Sequence, residues 1–395
     1  MAACSDDVVV DPLEGPTDPV AAAHAFVDDS DVRRRAFLTS VGDNTDRYSA
    51  LRRTHYSLPD AQAPLNWDTL PEWNPRVRQL YVNDVSASVD REEGPVTDDE
   101  GDDSLLAWRT RGARAFERFP AQVDLAFDRI RDRSVAEAAG FSVDAEGRVR
   151  GVVEVQTNDG WIVALTCAAC HAAVRGGTWL RGVGNDALNM SALGLAEWPL
   201  GTIDVTGDGI DNPTRPSDLR PIRLQALLHH TGNLRNGRLA RMVRIETLLT
   251  VQTDEATRPN RNVVAAMALY LESLADSLPA LDRESAGATA FDRECATCHR
   301  GDELAGDLVD VAVVGTNDAA TRANSERSTG AYRAPSLRGV GDRIGLLHDG
   351  SAHDLDSILG LVPSPHAGHT FGLTLDAVSR RTIADYLAPA SATSR

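Results

Sequence analysis

The sequence predicts a mainly α fold, in which two tandem copies of one helical unit follow an irregular N-terminal arm. Two observations predict it. Apolar residues recur at helical spacing in several segments, and a set of short motifs in the second part of the chain occurs twice in the same order. We divide the chain into an acidic tether, an arm with an acidic loop and two units, which span residues 1–47, 48–104, 105–277 and 278–395.

The tether and the acidic loop are predicted from composition. Residues 1–31 are rich in Ala, Asp and Pro, and nine carboxylates crowd the stretch 84–103, which is typical of a solvated loop. Helical spacing begins at Leu105 and is broken at Pro120. A hairpin is expected near 143–155, turning at Asp144-Ala-Glu-Gly147. Further helices are predicted at 263–274, 286–295 and 378–387.

Composition excludes some functions. The 395 residues include 58 acidic and 40 basic side chains, so the formal net charge is −18, and every basic residue is arginine. Binding to a phosphate backbone needs clustered positive charge, so we expect no nucleic-acid partner. No run of 18 apolar residues occurs, so no transmembrane helix is predicted. A hydrophobic content of 42% is sufficient for folded cores.

Four of the five cysteines occur in two C-x-x-C-H motifs, which read Cys167-Ala-Ala-Cys170-His171 and Cys295-Ala-Thr-Cys298-His299. This motif is the attachment site of c-type haem. The two thiols form thioethers with the porphyrin, and the adjacent imidazole becomes an iron ligand. The sequence therefore predicts two covalently bound haem c groups, with His171 on the first iron and His299 on the second.

Zinc and thiol redox chemistry are the alternatives. Paired C-x-x-C motifs in zinc ribbons usually lie about 15–20 residues apart, whereas 124 residues separate Cys170 from Cys295. A dithiol oxidoreductase normally carries one such motif in a βαβ context. We therefore favour haem and keep a zinc-held interaction module as a remote alternative.

The motifs that follow each C-x-x-C-H repeat in order. Each unit contains a Leu-Arg pair, a Leu-Leu-His segment and a closing helix with Tyr-Leu. In the first unit the markers end at Arg220, His229 and Leu271, and in the second at Arg338, His348 and Leu387. This order indicates a tandem duplication of one haem unit, divided near Pro279.

The second axial ligand of each iron determines its chemistry. No methionine follows Cys295, so the second iron is predicted to be either bis-histidine or open, with His348, His353, His366 and His369 as candidates. We favour His369, in a Gly/Pro-rich loop before the closing helix. For the first iron the alternatives left open are Met190, His229, His230 and Met242.

Two further features are candidate binding groups. Haem propionates are expected to pair with arginine, and the candidates are Arg220, Arg223, Arg333 and Arg338. Asp204-Val-Thr-Gly-Asp208-Gly-Ile-Asp211 places oxygen ligands at alternate positions, as calcium loops do. Its twelfth position is Arg215 rather than glutamate, so an ordinary turn is favoured over calcium.

Residues 165–390 resemble the bacterial dihaem cytochrome c peroxidase and MauG superfamily. The likeness lies in Tyr332-Arg-Ala-Pro-Ser-Leu-Arg338 and Leu347-His-Asp-Gly-Ser351. It implies two cytochrome c-like haem domains, a reactive haem on His171 and an electron-relay haem on His299. The missing methionine departs from the peroxidases, and the His-x-Phe-Gly at His369 is closer to the rubber-oxygenase branch. No catalytic residue is assigned, so electron transfer and peroxidase-like or oxygenase chemistry at the first haem are both retained.

Location and partners follow from the haem prediction. Covalent haem attachment takes place outside the bacterial cytoplasmic membrane, so we expect a protein of the periplasm or cell surface. Met1-Ala-Ala-Cys4 resembles the end of a lipobox, which makes Cys4 a candidate lipid anchor, with an incidental free cysteine as the alternative. The net charge predicts a redox partner with a basic docking face. The oligomeric state is left open.

Overall fold

The structure, a computed structural model, describes residues 11–42, 67–82, 93–96, 101–204, 210–252, 256–322, 327–365 and 368–389. Its helices are α1 (Pro19–Asp28), α2 (Ser30–Val41), α3 (Leu105–Arg118), α4 (Arg133–Ala138), α5 (Cys167–His171), α6 (Arg238–Val251), α7 (Arg261–Ser273), α8 (Ala286–Glu294), α9 (Val311–Val314), α10 (Leu355–Ile358) and α11 (Ala377–Leu387). Its strands are β1 (Glu72–Trp73), β2 (Arg76–Tyr81), β3 (Glu93–Pro95), β4 (Pro120–Val123), β5 (Arg148–Thr157), β6 (Gly160–Thr166), β7 (Ala172–Arg175), β8 (Thr178–Arg181), β9 (Leu227–Leu228), β10 (Leu234–Arg235), β11 (Arg258–Pro259), β12 (Leu308–Asp310) and β13 (Ala331–Arg333).

The prediction of a mainly α fold is wrong, because a five-stranded antiparallel sheet occupies much of the first half of the chain. Its strand order is β3–β2–β5–β6–β4. Residues 151–155 of β5 are all buried. A strand buried on both faces lacks the apolar–polar alternation from which strands are predicted.

The sheet also crosses the predicted division at residue 104. Strands β2 and β3 come from the predicted arm, and β4 to β6 come from the predicted first unit. At the centre of the sheet, Glu154 is fully buried and is paired with Arg78 and Arg131. Burial opposes ionisation of Glu154, but hydrogen bonds from the two guanidinium groups hold its pKa below the usual range.

Part of the predicted acidic tether is helical and packed. The side chains of Asp18 and Asp29 accept hydrogen bonds from the first turns of α1 and α2, respectively. Phe26 and Phe37 are buried in the core of the first half, with 0% and 3% exposure. The aspartates that suggested a solvated tether are therefore, at these two positions, helix caps.

The predicted helices at 263–274, 286–295 and 378–387 are confirmed as α7, α8 and α11, and the helical pattern from Leu105 is confirmed as α3. The predicted hairpin exists as a bridge between Val143 and Val149 around a turn at Asp144–Gly147. The long strand that follows, however, pairs with β2 and β6. Among the described residues, no helix is both long enough and apolar enough to cross a membrane.

Two pairs of crossing helices have the same contacts, a glycine against the partner backbone and a Phe–Tyr ring pair, which the sequence analysis did not predict. In the α3–α7 pair, a Cβ atom on Gly112 would lie 2.0 Å from the carbonyl oxygen of Ala266, and Phe116 and Tyr270 have ring centroids 5.5 Å apart at 56°. In the α8–α11 pair, a Cβ atom on Gly287 would lie 2.1 Å from the carbonyl oxygen of Thr382. The ring centroids of Phe291 and Tyr386 likewise lie 5.6 Å apart at 56°. The matched crossings indicate that α3–α7 and α8–α11 are two copies of one helix pair.

The two copies differ by an insertion. Only three residues separate Phe291 of α8 from Cys295, whereas strands β4 to β6 lie between Phe116 of α3 and Cys167. The core of the second copy is a separate cluster that includes Phe291 and Ile383. The sheet is therefore an addition to the first copy, and it accounts for most of the difference from the predicted architecture.

We expect Gly287→Ala to destabilise the protein. Alanine favours a helix interior over glycine by about 1 kcal/mol, but the added methyl group would overlap the backbone of α11, and overpacking costs about 1–3 kcal/mol. Urea unfolding measures the net effect. The matched control is Thr289→Ala at an exposed position of the same helix, for which we expect an equal or slightly higher stability. An increase in stability for Gly287→Ala would contradict the close crossing.

Candidate haem-binding sites

Both C-x-x-C-H motifs form one helical turn. Cys167–His171 is helix α5, and in the second motif the amide of His299 donates to the carbonyl oxygen of Cys295 at 3.0 Å. In a helical turn, positions i, i+3 and i+4 share one face. The two thiols and the imidazole of each motif therefore lie on the same side of the turn, as attachment to one planar group requires.

The two motifs occupy separate surroundings. Cys167 packs against the core of the first half, and Cys295 packs against the cluster of the second copy. Burial raises the pKa of Cys167 to about 11, of Cys170 to about 12 and of Cys295 to about 11. Because the thiolate is the reactive form in dithiol redox chemistry, these protonated thiols do not favour that alternative. In the described residues, no three His, Cys, Asp or Glu side chains are grouped so that they could hold a metal ion.

Each motif histidine is held by a backbone carbonyl group. Nδ1 of His171 donates to the carbonyl oxygen of Ser217 at 2.9 Å, and Nδ1 of His299 donates to that of Pro335 at 3.0 Å. This bond leaves Nε2 as the nitrogen with a lone pair, which is the form that ligates a metal. Burial lowers the pKa of both imidazoles, that of His299 to about 4, so both are neutral at pH 7.

The carbonyl acceptors reveal the register of the duplication. Ser217 and Pro335 lie 118 positions apart, and so do His229 and Leu347, which both have a left-handed backbone with φ of 62° and 67°. The same offset pairs His348 with His230. The predicted equivalence of His229 and His348 is therefore wrong by one residue, because the doubled histidine at 229–230 made the register ambiguous.

This register is also visible where the two copies meet. The amide of Arg215 donates to the carbonyl oxygen of His348 at 2.7 Å, and the amide of Arg333 donates to that of His230 at 3.0 Å. Both donors and both acceptors are related by the offset of 118 residues. The two segments consequently bind each other reciprocally, as equivalent surfaces do in a two-fold arrangement.

A cavity of about 380 Å³ opens beside the second motif. Cys295, Cys298 and His299 line it, together with apolar side chains of the second copy and residues 215–218 of the first. Sites for organic ligands and cofactors in proteins typically have volumes of about 300–1,000 Å³ and mainly apolar walls. Size and lining therefore fit an apolar cofactor attached at this motif.

A second imidazole faces His299 in this cavity. The ring centroids of His299 and His369 lie 6.5 Å apart. Two metal–imidazole bonds of about 2.0–2.1 Å each, plus the two ring radii, span about this distance. The loop is held by a hydrogen bond from the amide of His369 to the carbonyl oxygen of Val314 at 2.7 Å. His369 is thus suitably placed as the distal ligand, whereas His366 lies outside the described residues.

The buried guanidinium of Arg333 tests whether an anionic cofactor fits. Arg333 lines the cavity with 9% exposure, and its Nη1 atom has no hydrogen-bond partner among the described residues. Burial, reinforced by the charge of Arg343, lowers its pKa to about 9. An unpaired buried cation is costly, and a propionate carboxylate in the cavity would supply the missing partner. The residues therefore fit haem.

The other predicted propionate partners are engaged elsewhere. Arg220 pairs with Asp218 and Asp342, and Arg223 pairs with Asp276. Arg338 donates to backbone carbonyl groups of Pro279 and Asp302, which lie at the surface. Of the four candidates, Arg333 is the one that the structure places in the cavity.

The candidates for the first iron have other contacts. In His229, Nδ1 donates to Asn233 and Nε2 accepts from Arg244, at 2.6 and 2.7 Å. Nε2 of His230 donates to the carbonyl oxygen of Arg215 at 2.8 Å. Met190 and Met242 are buried within the apolar clusters that Cys170 and Cys167 contact. No distal ligand is assigned to this site.

The other two described candidates of the second site have different surroundings. His348 lines the cavity and stacks on Tyr332, with ring centroids 4.3 Å apart at 18°, so it stays the alternative to His369, whereas His353 is exposed beside Asp354. Cys4 and residues 205–209 of the predicted calcium segment lie outside the described residues. At the ends of that segment, Asp211 accepts from the indole of Trp198 and Asp204 accepts from the amide of Asn212.

Sequence reasoning missed one pair at this site, the ion pair of Asp218 and Arg343 beside the cavity. Asp218 directly precedes the Leu-Arg pair of the first unit, but Arg343 has no arginine counterpart in the first copy. Aligning the copies at 118 residues would have shown arginine at 343 opposite glutamine at 225.

In comparisons with known proteins, the chain matches no protein-family model and no curated protein.

Proposed function

We propose that the chain is an exported dihaem c-type cytochrome that transfers electrons, with one haem on each C-x-x-C-H motif. The observation that carries the proposal is the pair of imidazoles, His299 and His369, facing each other in an apolar cavity beside Cys295 and Cys298. Haem, when bound, supplies an iron centre that takes up and releases single electrons. Electron transfer without a substrate needs an iron whose protein ligands do not exchange, and His299 and His369 would hold it in this way.

The residues of the chain have defined parts in this proposal. The thiols of Cys295 and Cys298 fix the ring, and the carbonyl oxygen of Pro335 orients His299 so that Nε2 faces the metal position. Arg333 would bind a propionate, and the apolar wall would keep solvent out of the site. At the first motif, Cys167, Cys170 and His171 have the corresponding parts, with Ser217 as the carbonyl acceptor.

Location and partner belong to the same proposal. Because haem is attached covalently outside the cytoplasm in bacteria, the protein belongs in the periplasm or at the cell surface, with Cys4 as a candidate lipid anchor. The net charge of −18 suits a redox partner that docks through a basic face. Calcium at 204–211 is not part of the proposal.

A second candidate function is a haem-dependent peroxidase or oxygenase, with the first haem catalytic and the second as relay. The observation that favours it is the engagement of His229 and His230 in other hydrogen bonds. Since these imidazoles are held elsewhere, a first haem that neither Met190 nor Met242 ligates would be open to a small ligand such as peroxide or oxygen. The remote alternative of a zinc-held module has no support from the separated cysteine pairs.

Covalent haem content tests both candidates together. We expect a pyridine haemochrome assay to give two haems per chain, and one for either double variant, Cys167→Ser/Cys170→Ser or Cys295→Ser/Cys298→Ser, because each motif binds its own group. Cys4→Ser is the control and should retain two. A native protein without haem, expressed with an intact attachment system, would contradict the proposal.

His369 should determine the ligand state of the second haem. We expect His369→Ala to add one carbon monoxide-binding haem per chain in the reduced protein, because the variant loses one axial imidazole. Difference spectra measure the stoichiometry, and added free imidazole should reverse the change. His353→Ala is the matched control, since this exposed histidine pairs only with Asp354 in the described structure, and it should add no binding. An unchanged stoichiometry in His369→Ala would refute the assignment.

Carbon monoxide also separates the two candidates in the native protein. Under electron transfer alone we expect the reduced protein to bind none, because both irons keep two protein ligands. Binding of one molecule per chain, retained in His369→Ala alongside a second, would instead favour the peroxidase or oxygenase candidate. Titration followed in the Soret band distinguishes the two results.

A further inference from the structure

An ion pair connects the two copies beside the cavity. Nε of Arg343 donates to Oδ2 of Asp218 at 2.7 Å, and the two side chains are 13% and 4% exposed. Arg220 donates to the same carboxylate through Nη2 at 2.8 Å. Burial by itself would raise the pKa of Asp218, but the charges of Arg343 and Arg220 hold it below the usual range. The pair is therefore charged and largely shielded from solvent.

On the side of the first copy, Asp218 directly follows Ser217. The carbonyl group of Ser217 accepts the Nδ1 hydrogen bond of His171. Three hydrogen bonds from the amide, Nε and Nη2 of Arg220 hold the Asp218 carboxylate in place. The ion pair therefore restrains the segment that orients His171.

On the side of the second copy, Arg343 holds the segment that orients His299. Its Nη2 donates to the carbonyl oxygen of Ser336 at 2.9 Å and to that of Arg338 at 2.8 Å. Ser336 directly follows Pro335, whose carbonyl group accepts from His299. The guanidinium of Arg343 thus bonds to the segment that accepts from His299. It also bonds to the carboxylate of Asp218, which is next to the acceptor of His171.

The duplication does not explain the pair by symmetry. At the offset of 118 residues, Asp218 corresponds to Ser336 and Arg343 corresponds to Gln225. The hydroxyl of Ser336 donates to the carbonyl oxygen of Glu303, so it makes no charged contact across the interface. The pair thus joins two non-equivalent positions, and each of its charges occurs in only one copy.

We propose that Arg343 is a positioning residue that couples the two haem sites, by tying the carbonyl acceptors of His171 and His299 into one network through Asp218. The inference rests on the proposed function. Hydrogen bonding of the second ring nitrogen tunes the basicity of a metal-ligating imidazole. A change in this network therefore alters both irons together, although Arg343 belongs to only one copy.

The test is a pair of reduction potentials, measured by spectroelectrochemistry at equal haem content in native protein, Arg343→Gln, Arg343→Lys and Asp218→Asn. Loss of the positive charge favours oxidised iron, so we expect both potentials to fall in Arg343→Gln. The expected change is at least tenfold in the ratio of reduced to oxidised haem at a fixed potential, or about 59 mV for a one-electron couple. Asp218→Asn should raise both potentials.

Arg343→Lys separates positioning from charge. Lysine keeps the charge but lacks the planar fork that reaches a carboxylate and two carbonyl groups at once. Looser carbonyl acceptors weaken the Nδ1 hydrogen bonds and lower the basicity of both imidazoles, so both potentials should rise in Arg343→Lys, opposite in sign to the change in Arg343→Gln. Arg322→Gln, which removes an exposed arginine paired with Asp318, should leave both unchanged.

Three results would overturn the inference. They are a shift at the second haem alone, potentials in Arg343→Lys equal to those of native protein, and unchanged potentials in Asp218→Asn, each in variants that retain two haems. Absence of haem from the native protein would instead overturn the proposed function, and the haemochrome assay identifies that case before any potential is measured.

Discussion

The hydrogen bond from Nδ1 of each motif histidine to a backbone carbonyl group is the interaction on which both sites depend. It fixes the tautomer, so that Nε2 carries the lone pair, and it fixes the direction in which that nitrogen points. The carbonyl groups belong to loops, at Ser217 and Pro335, rather than to the helical turns that carry the cysteines. The loops must therefore be held independently, which the reciprocal amide bonds of Arg215 and Arg333 achieve at the contact between the copies.

Features that depend on neighbouring residues in the sequence could be predicted, whereas features that depend on distant contacts could not. The helices at 263–274, 286–295 and 378–387 were predictable because their apolar stripes are local, and the C-x-x-C-H spacing was sufficient to place both motifs. The sheet was missed because the centre of β5 is buried on both faces and so resembles any short apolar run. The roles of Gly112 and Gly287 were also missed. A glycine inside a helical pattern is normally taken to destabilise the helix, and its packing role is evident only once the neighbouring helix backbone is known.

Duplication followed by divergence accounts for the asymmetry of the chain. The helix crossings and the carbonyl acceptors are kept in both copies, whereas the first copy gained the sheet and the second copy has the cavity opened toward His369. The charges of Asp218 and Arg343 also differ between copies, and they complement each other only across the contact. Two sites that were once equivalent can in this way come to differ in their surroundings, while hydrogen bonds and an ion pair still connect them.

The contacts of the buried arginines suggest a structural reason why the chain has arginine and no lysine. Arg33, Arg220 and Arg241 are all buried, and each spans acceptors that a single ammonium group could not reach together. Arg33 joins two carbonyl groups of α1 to Asp68, and Arg343 joins a carboxylate to two carbonyl groups. A planar fork that stays charged when buried can bridge loops that have no regular backbone pairing. Much of this chain consists of such loops, so its arginines stabilise the interior as well as balancing an acidic surface.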